Sequence, residues 1–249
     1  DVCSSDLQGA YYNLAPYFGL VPQTNDWIHA PESAQGNLAA RKEVGSNGMW
    51  KAYGNVYTGR FSFYEHDILD PSQKSKIDIF NQYAYGNTSL KNTLGNSWSY
   101  HTGLAFTTNT DDITTETETI IETTRGGHAK FTLSGDAYDW LTINTGAELL
   151  YSESSQEYTR NSDGFENTDS YQNPLWATFA ETEVYFSNNL LARVGGRAEY
   201  TTLNNKLYLA PRLSLAYKTG ENAQVALAAR SFQQAPADDL LRINNQLDF

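Results

Sequence analysis

Seven charged residues between positions 181 and 230 are the side chains whose types and spacing best suit specific chemistry. Residues two apart on a β-strand lie on the same face, so alternating charges within a strand share one surface. Carboxylates and guanidinium groups on such a face make charge-assisted hydrogen bonds, either with a second protein surface across a wet interface or with water, as on any solvated sheet. The seven residues are Glu181, Glu183, Arg193, Arg197, Glu199, Arg212 and Arg230.

Catalytic and metal-binding motifs do not appear in the sequence. It has no nucleophile elbow, P-loop, GxGxxG or HExxH pattern. The acidic run of Asp111, Asp112, Glu116, Glu118 and Glu122 lacks the spacing of a calcium loop. Its alternation with threonine favours a strand-like hairpin extension instead. We therefore predict a protein that is not an enzyme and that holds no metal or cofactor.

Aromatic residues cluster around a polar segment that we predict to be a long loop, residues 155–173. Tyr158, Phe165 and Tyr171 there could stack on a small-molecule ligand. An aromatic girdle combined with loop packing would explain the same residues. Both interpretations remain open from the sequence.

The charged residues lie in a block at 173–233 that reads as four strands with two different faces. One face is apolar and without charge for about 9–11 residues per strand, the length that crosses a bilayer as a tilted strand. The other face carries full charges at mid-strand. This pattern predicts a transmembrane β-barrel with lipid outside and a wet, charged interior. The apolar face includes Trp176, Val184, Val194, Tyr200, Leu209, Leu213, Leu215, Val225 and Leu227.

With these four strands included, the sequence pattern predicts an all-β meander of about ten strands. Short turns and longer polar links alternate along it, which in an up-and-down order puts all tight turns at one end. Cut from a larger barrel, such a sheet would have open edges. The predicted strands are 35–44, 49–64, 75–94, 98–109, 123–134, 140–154, 174–186, 189–201, 207–218 and 222–233, with one short helical turn at 235–243.

Composition argues against two further classes, nucleic-acid-binding proteins and proteins with a membrane-spanning helix. The net charge of −12 and the lack of a basic patch argue against nucleic acid as a partner. No stretch of about 18 apolar residues is present, so a membrane-spanning helix is not predicted. The mean hydropathy of −0.54 is no argument against a barrel, because alternating strands average to a polar composition.

The N-terminal region divides into two parts. Residues 1–7, DVCSSDL, resemble the translated end of a sequencing adapter, and they contain Cys3, the one cysteine. We expect them not to belong to the protein, the alternative being a natural polar N-terminus. Residues 8–33 are rich in proline, glycine and aromatics and predict an irregular linker. Residues 34–249 would then form the partial barrel.

Several segments resemble the N-terminal part of the barrel domain of TonB-dependent outer-membrane receptors, of the Bacteroidetes type. They are LYLAPRLSLAYKTGENAQVALAARSFQQAP (207–236), WATFAETEVYFSNNLLARVGGRAEY (176–200), PYFGLVPQTNDWIHAPES (16–33) and KIDIFNQYAYGNTSLKNTLGNSW (76–98). The resemblance implies a barrel of about 22 strands with an N-terminal plug. This chain would supply roughly the first ten barrel strands, without the plug and truncated at its C-terminus.

The resemblance also implies a function, import of a scarce ligand such as a siderophore, cobalamin or a carbohydrate across the outer membrane of a Gram-negative bacterium. The implied partners are the lipid bilayer, the protein's own plug domain, the TonB complex and the small-molecule ligand. The seven charged residues would face the lumen and the plug. The alternatives are a soluble all-β binding module, such as an adhesin or carbohydrate-binding domain, and a porin without a plug.

Overall fold

A single antiparallel sheet of eleven strands dominates the computed structural model, which describes residues 3–66, 70, 73–203 and 205–231. Each strand pairs with its neighbours in sequence, from β1 at one edge to β11 at the other. A four-residue helix, α1 (Ala15–Phe18), joins the first two strands. The strands are β1 (Cys3–Asn13), β2 (Asp26–Val44), β3 (Gly48–His66), β4 (Lys74–Leu94), β5 (Trp98–Thr115), β6 (Glu118–Tyr138), β7 (Leu141–Arg160), β8 (Phe165–Ser187), β9 (Leu190–Thr201), β10 (Lys206–Gly220) and β11 (Ala223–Arg230).

All ten predicted strands are present as β2–β11, so the prediction of an all-β, up-and-down antiparallel sheet with open edges is confirmed. The helical turn expected at 235–243 and the last two residues of the strand expected at 222–233 lie outside the described residues. Among the helices of the described chain, none has the length and apolar character needed to cross a membrane.

The prediction of irregular structure throughout 8–33 was wrong, because β1 and the start of β2 occupy much of this range. The prolines that suggested it are accommodated by local geometry. Pro16 lies in the first turn of α1, where its missing N–H costs nothing. Pro31 lies where the β2–β3 register shifts between His29 and Glu32, a position outside the regular ladder.

Residues 3–7 do not stand apart from the fold, since β1 starts at Cys3 and Cys3–Leu7 pairs with Leu38–Lys42. Strand pairing does not report on the origin of these residues, because main-chain hydrogen bonds form with almost any sequence. Their adapter origin, and the division at residues 33 and 34, stay predictions.

Two segments between predicted strands, residues 110–122 and 155–173, are largely strand extensions, so the prediction of a long loop at 155–173 was wrong. β5 and β6 are separated by residues 116–117, and β7 and β8 by residues 161–164. Threonine, which is β-branched and suits strands, supplies much of the first extension. Thr110 and Thr123 form a hydroxyl hydrogen bond of 3.3 Å, and Thr114 donates to Thr119 at 3.5 Å. The hairpin extension expected for the acidic run is therefore confirmed.

Tight turns join the strands at the other end, as predicted. Gly45 and Gly95 each adopt φ of +67°, a conformation that glycine reaches without steric cost. The turn expected at 135–139 is displaced, because β6 continues to Tyr138. Tyr138 stacks on Trp140 across this turn, with ring centroids 5.6 Å apart.

The described residues divide into two compact units. The first comprises Asp1–Leu90, Gly103–His128 and Tyr151–Gln172. Within it, the Glu32 carboxylate on β2 connects three strands. It accepts hydrogen bonds from Tyr11 Oη at 3.0 Å and Asn13 Nδ2 at 3.1 Å on β1, and it pairs with Arg60 on β3. This polar junction fixes the first edge strand to the sheet.

The second unit comprises Lys91–Thr102, Ala129–Leu150 and Asn173–Phe249. Its β8–β11 register places the predicted apolar residues on one face: Trp176 opposite Tyr200, Val194 opposite Leu213, and Leu215 opposite Leu227. These side chains are exposed, Leu227 by 75% and Leu209 by 63%. Among the described residues of the whole chain no large side chain is fully buried. The apolar residues thus cover a surface instead of forming a core.

Two adjacent glycines provide a test of this register. A Cβ on Gly195 would lie 2.8 Å from the Ala180 carbonyl oxygen, whereas the nearest atom to a Cβ on Gly196 is 4.0 Å away. We expect Gly195→Ala to lower the free energy of unfolding in detergent micelles by about 1–3 kcal/mol through overpacking. Gly196→Ala should change it by less than about 0.5 kcal/mol. Equal urea midpoints for the two variants would contradict the register.

Candidate functional site

The predicted charged residues lie together on the face of β8–β11 opposite the apolar one. Glu183 is the cross-strand neighbour of Arg193, and Arg212 is the neighbour of Arg230. Glu199 lies on the same face, since its cross-strand neighbours are Ala177 and Tyr208. The shared face predicted from alternation is therefore confirmed, while the role of these residues towards a lumen or plug stays a prediction.

Arg193 on β9 forms the first of two ion-pair groups. Its guanidinium pairs with Glu183, and its Nε lies 3.5 Å from Glu181 Oε1, both on β8. Tyr185 donates a hydrogen bond of 3.0 Å to the second oxygen of Glu183. Arg193 therefore offsets part of the negative charge of these two carboxylates.

Arg197 forms the second group, which spans three strands. Its Nε lies 2.5 Å from Glu199 Oε1 on the same strand, and its Nη1 lies 2.6 Å from Glu148 Oε2 on β7. Lys130 Nζ on β6 approaches the other oxygen of Glu148 at 3.7 Å. From β6 to β9 the charges are therefore positive at Lys130, negative at Glu148 and positive at Arg197. Glu148 and Glu199 each have a cationic partner.

A glycine on β7 allows Arg197 to reach Glu148 past the intervening strand. The side chain opposite Arg197 on β8 is Phe179, and a Cβ on Gly146 would lie 2.7 Å from the Phe179 ring. The Phe179 ring therefore lies over Gly146, in space that the side chain of any other residue at position 146 would occupy. Lys130 Nζ lies 6.0 Å from the centre of the same ring, within range of a cation–π interaction.

Glu148 and Lys130 were not identified from the sequence. Neither stands in the four-strand block that drew attention to the charged face. The available signal was the composition of β7, where Glu148 follows Gly146 at a spacing of two in a strand with few other charges. Spacing gives the face of a residue within one strand, but pairing across strands needs the register.

Burial is inverted relative to a soluble protein. The Glu148 side chain is 9% exposed and that of Arg197 is 18% exposed, whereas Leu209 on the opposite face is 63% exposed. Moving charged groups out of water costs free energy unless they are paired and hydrogen-bonded, a condition that this face meets. The arrangement holds paired charges in fixed positions on this face.

The aromatic residues predicted as ligand contacts are only partly brought together. Tyr158 and Phe165 face each other across the β7–β8 hairpin with centroids 6.4 Å apart. Tyr171 lies six residues further along β8 than Phe165, about 20 Å at the rise of a strand. Any ligand stacking would therefore involve Tyr158 and Phe165 without Tyr171.

Polar groups around this aromatic pair are already engaged. Tyr158 donates to Glu118 at 3.1 Å, and the Arg160 guanidinium lies 5.3 Å from the Phe165 ring centre. Hydrogen bonding to Tyr158 and the charge of Asp163 raise the pKa of Arg160, which stays a cation. Aromatic faces and a fixed cation thus meet at the end of this hairpin.

No group of three or more His, Cys, Asp or Glu side chains suited to a metal occurs within the described part of the chain. Carboxylates of the acidic run have protein donors there. Asp111 accepts from Asn81 at 2.7 Å and from Asn109 at 2.6 Å, and Asp112 accepts from Thr114 at 3.1 Å.

No family model and no curated protein matches this sequence. Solved structures do match. The outer-membrane transporter YddB from Escherichia coli is 9% identical with a TM-score of 0.56, over 92% of this chain and 38% of that one. The siderophore receptor PirA from Pseudomonas aeruginosa is 11% identical with a TM-score of 0.42, over 96% and 44%. The chain spans less than half the length of either, and the likeness to YddB shows the fold of part of an outer-membrane β-barrel.

The Arg197 group predicts a difference between two carboxylates. Glu148→Gln leaves a half-buried guanidinium with one carboxylate, and we expect a loss of about 1–3 kcal/mol in unfolding free energy. Asp78→Asn removes an exposed pair with Lys76, 2.7 Å long and about 40% exposed on both sides, and should cost less than about 1 kcal/mol. Urea unfolding of both variants in micelles makes the comparison, and a smaller effect for Glu148→Gln would refute the role given to it.

Proposed function

We propose that this chain is part of a TonB-dependent outer-membrane receptor that imports a scarce small molecule, and that it lies in the outer membrane of a Gram-negative bacterium. The observation that carries the proposal is the inverted burial in β8–β11, with exposed leucines on one face and paired charges on the other. Lipid is the solvent in which such an apolar face costs nothing.

The dimensions of the apolar face support a bilayer. On β9 it runs from Leu190 to Tyr200, which faces Trp176 at its far end. Ten residue steps along a strand span about 33 Å. Tilted by about 45°, this corresponds to about 23 Å across the membrane, close to the apolar band of outer-membrane barrels. Under the proposal, Trp176 and Tyr200 at one end of this face and Phe186 at the other would lie at the membrane interfaces.

The finer parts of the proposal rest on the sequence resemblance. Under it, a plug domain would occupy the lumen beside the charged face, and the TonB complex would act on that plug. The ligand would be a siderophore, cobalamin or a carbohydrate. Tyr158 and Phe165, which meet at one hairpin end, are the proposed ligand contacts from this chain, with Tyr171 further away.

A soluble all-β binding module is the main rival. It predicts strands of about 5–6 residues, whereas β8 has 23 residues and β7 has 20. For a soluble module, the exposed leucines of β8–β11 would also have no function in contacting lipid. A porin without a plug would share the apolar face, so it differs from our proposal only in what fills the lumen.

Arginine substitutions on adjacent residues of β10 separate the membrane from the soluble alternative. Leu215 is on the apolar face and Ser214 on the charged face. Introduced into the intact parent protein, Leu215→Arg should cost about 2–4 kcal/mol and reduce the fraction that folds into vesicles, measured by heat-modifiable migration on a gel. Ser214→Arg is the matched control and should fold as the unsubstituted chain does. If the protein is a soluble module, Leu215→Arg should not reduce folding. It should improve solubility, because it replaces an exposed leucine by arginine.

The DNA upstream of the codon for Gln8 tests the family. Native sequence there should encode a plug domain, a TonB box and a signal peptide in the same reading frame. An in-frame start codon with no plug would exclude the receptor and leave the porin.

A further inference from the structure

We propose that the polar face of β2–β4 holds a binding site for the phosphate group of a small organic molecule, with Arg41 and Lys51 as the residues that bind it. The inference deepens the proposed function, on which it rests, because this face is then the wet inner side of a barrel. It names the chemical group that a small molecule would present to this wall, a compact anion with close to two negative charges.

The β2–β3 register places the two cations together on the polar face. Arg41 is the direct cross-strand neighbour of Lys51, and Tyr53 lies two residues along the same face of β3. The alternate positions of both strands form an apolar face, on which Leu38 and Val56 are exposed. Arg41 and Lys51 therefore lie on the side away from lipid under the proposed function.

Two like charges thus lie side by side. Both residues are exposed, and neither side chain has an ion pair or a hydrogen bond within the described part of the chain. Adjacent like charges destabilise a sheet, and an anion bound between them removes that repulsion. A guanidinium binds phosphate through two parallel hydrogen bonds, and an ammonium adds a point charge. A phosphate monoester, with a charge of about −1.5 to −2 at pH 7, matches this pair.

A cavity of about 430 Å³ opens beside the two cations. Tyr53 of β3 and Asn87 and Ser89 of β4 line it together with Arg41 and Lys51. The volume lies in the range of small-molecule sites. Since a water molecule takes about 30 Å³, inorganic phosphate alone would leave most of this cavity unfilled. The space therefore favours a phosphate group attached to an organic molecule.

Tyr53 forms a fixed aromatic wall of the cavity. Its hydroxyl donates a hydrogen bond of 3.0 Å to Asn37 Oδ1, and its ring lies 6.1 Å from that of Tyr85, centre to centre. Asn87 Nδ2 donates to Tyr85 Oη at 2.8 Å, which connects the β4 side of the cavity to the same ring pair. Tyr53 is 39% exposed. A planar group attached to the phosphate therefore has an ordered ring on which to stack.

The positive charge is confined to this position, which favours a compact anion over an acidic polypeptide. The next three residues on the same face of β3, Tyr53, Asn55 and Tyr57, are uncharged. Glu43 shares this face of β2 but does not line the cavity. Asp6 does line it, but it lies in residues 1–7, which we expect not to belong to the protein.

Isothermal titration calorimetry of the intact parent protein in detergent micelles tests the site, with phenyl phosphate, inorganic phosphate and benzenesulfonate as probes. Phenyl phosphate should bind most tightly. Inorganic phosphate should bind about two- to tenfold more weakly, because it has no ring to stack on Tyr53. The singly charged benzenesulfonate should bind at least about tenfold more weakly. Equal affinities of the two phosphates, or of phenyl phosphate and benzenesulfonate, would overturn the assignment.

Paired variants test the two cations. Arg41→Gln/Lys51→Gln should lose at least about tenfold in affinity for phenyl phosphate. The control is Lys42→Gln/Lys218→Gln, which also removes two charges and should stay within about twofold. Lys42 follows Arg41 but lies opposite Trp50 on the other face, and Lys218 lies on β10. Equal losses in the two double variants would overturn the site.

A competitor tests the polypeptide alternative. An acetylated, amidated decapeptide of alternating Glu and Ser should not displace phenyl phosphate at equal concentration. Displacement would overturn the proposal and indicate a polypeptide partner.

Heat-modifiable migration of the parent protein separates the two levels of inference. A parent protein that does not migrate as a folded barrel contradicts the proposed function. A parent protein that does so and does not bind phenyl phosphate contradicts only the phosphate site.

Discussion

The pairing of Arg197 with two carboxylates on different strands is the interaction on which the rest of the charged face depends. The side chains of Glu148 and Arg197 are only 9% and 18% exposed, so each of these two charges needs a partner of opposite sign. Arg197 supplies one for Glu199 on its own strand and one for Glu148 two strands away. In the core of a soluble protein, apolar side chains could replace such a group of ion pairs. In this sheet the apolar side chains lie on the opposite face, and the charges occupy this one.

The two faces constrain each other through the period of the strand. A slip of one residue in the β8–β9 register would exchange all the paired charges for the leucines and valines of the other face. In lipid that exchange would expose several charges to hydrocarbon at once. The ion pairs therefore contribute more through register than through their individual energies, which are modest for partly exposed groups.

Much of this architecture follows from sequence because alternation is a local property. Which residues share a face was readable wherever charges and leucines alternate, as in Glu181–Glu183 and Leu213–Leu215. Contacts across strands were not readable, so Glu148 and Lys130 went unnoticed. The prolines of the N-terminal region misled for a related reason. A bulge that accommodates Pro31 depends on the partner strand, which local patterns do not describe.

Strand order along the sheet has a kinetic consequence. Every strand pairs only with its neighbours in the chain, and even the most distant partners in the first hairpin, Cys3 and Lys42, are 39 positions apart. The links range from two residues between β5 and β6 to twelve between β1 and β2, and the entropy cost of closing a hairpin rises only slowly with the length of its link. Such a sheet can grow one strand at a time from any hairpin. A break in the chain would accordingly remove strands from an edge and leave the pairing of the remaining strands intact.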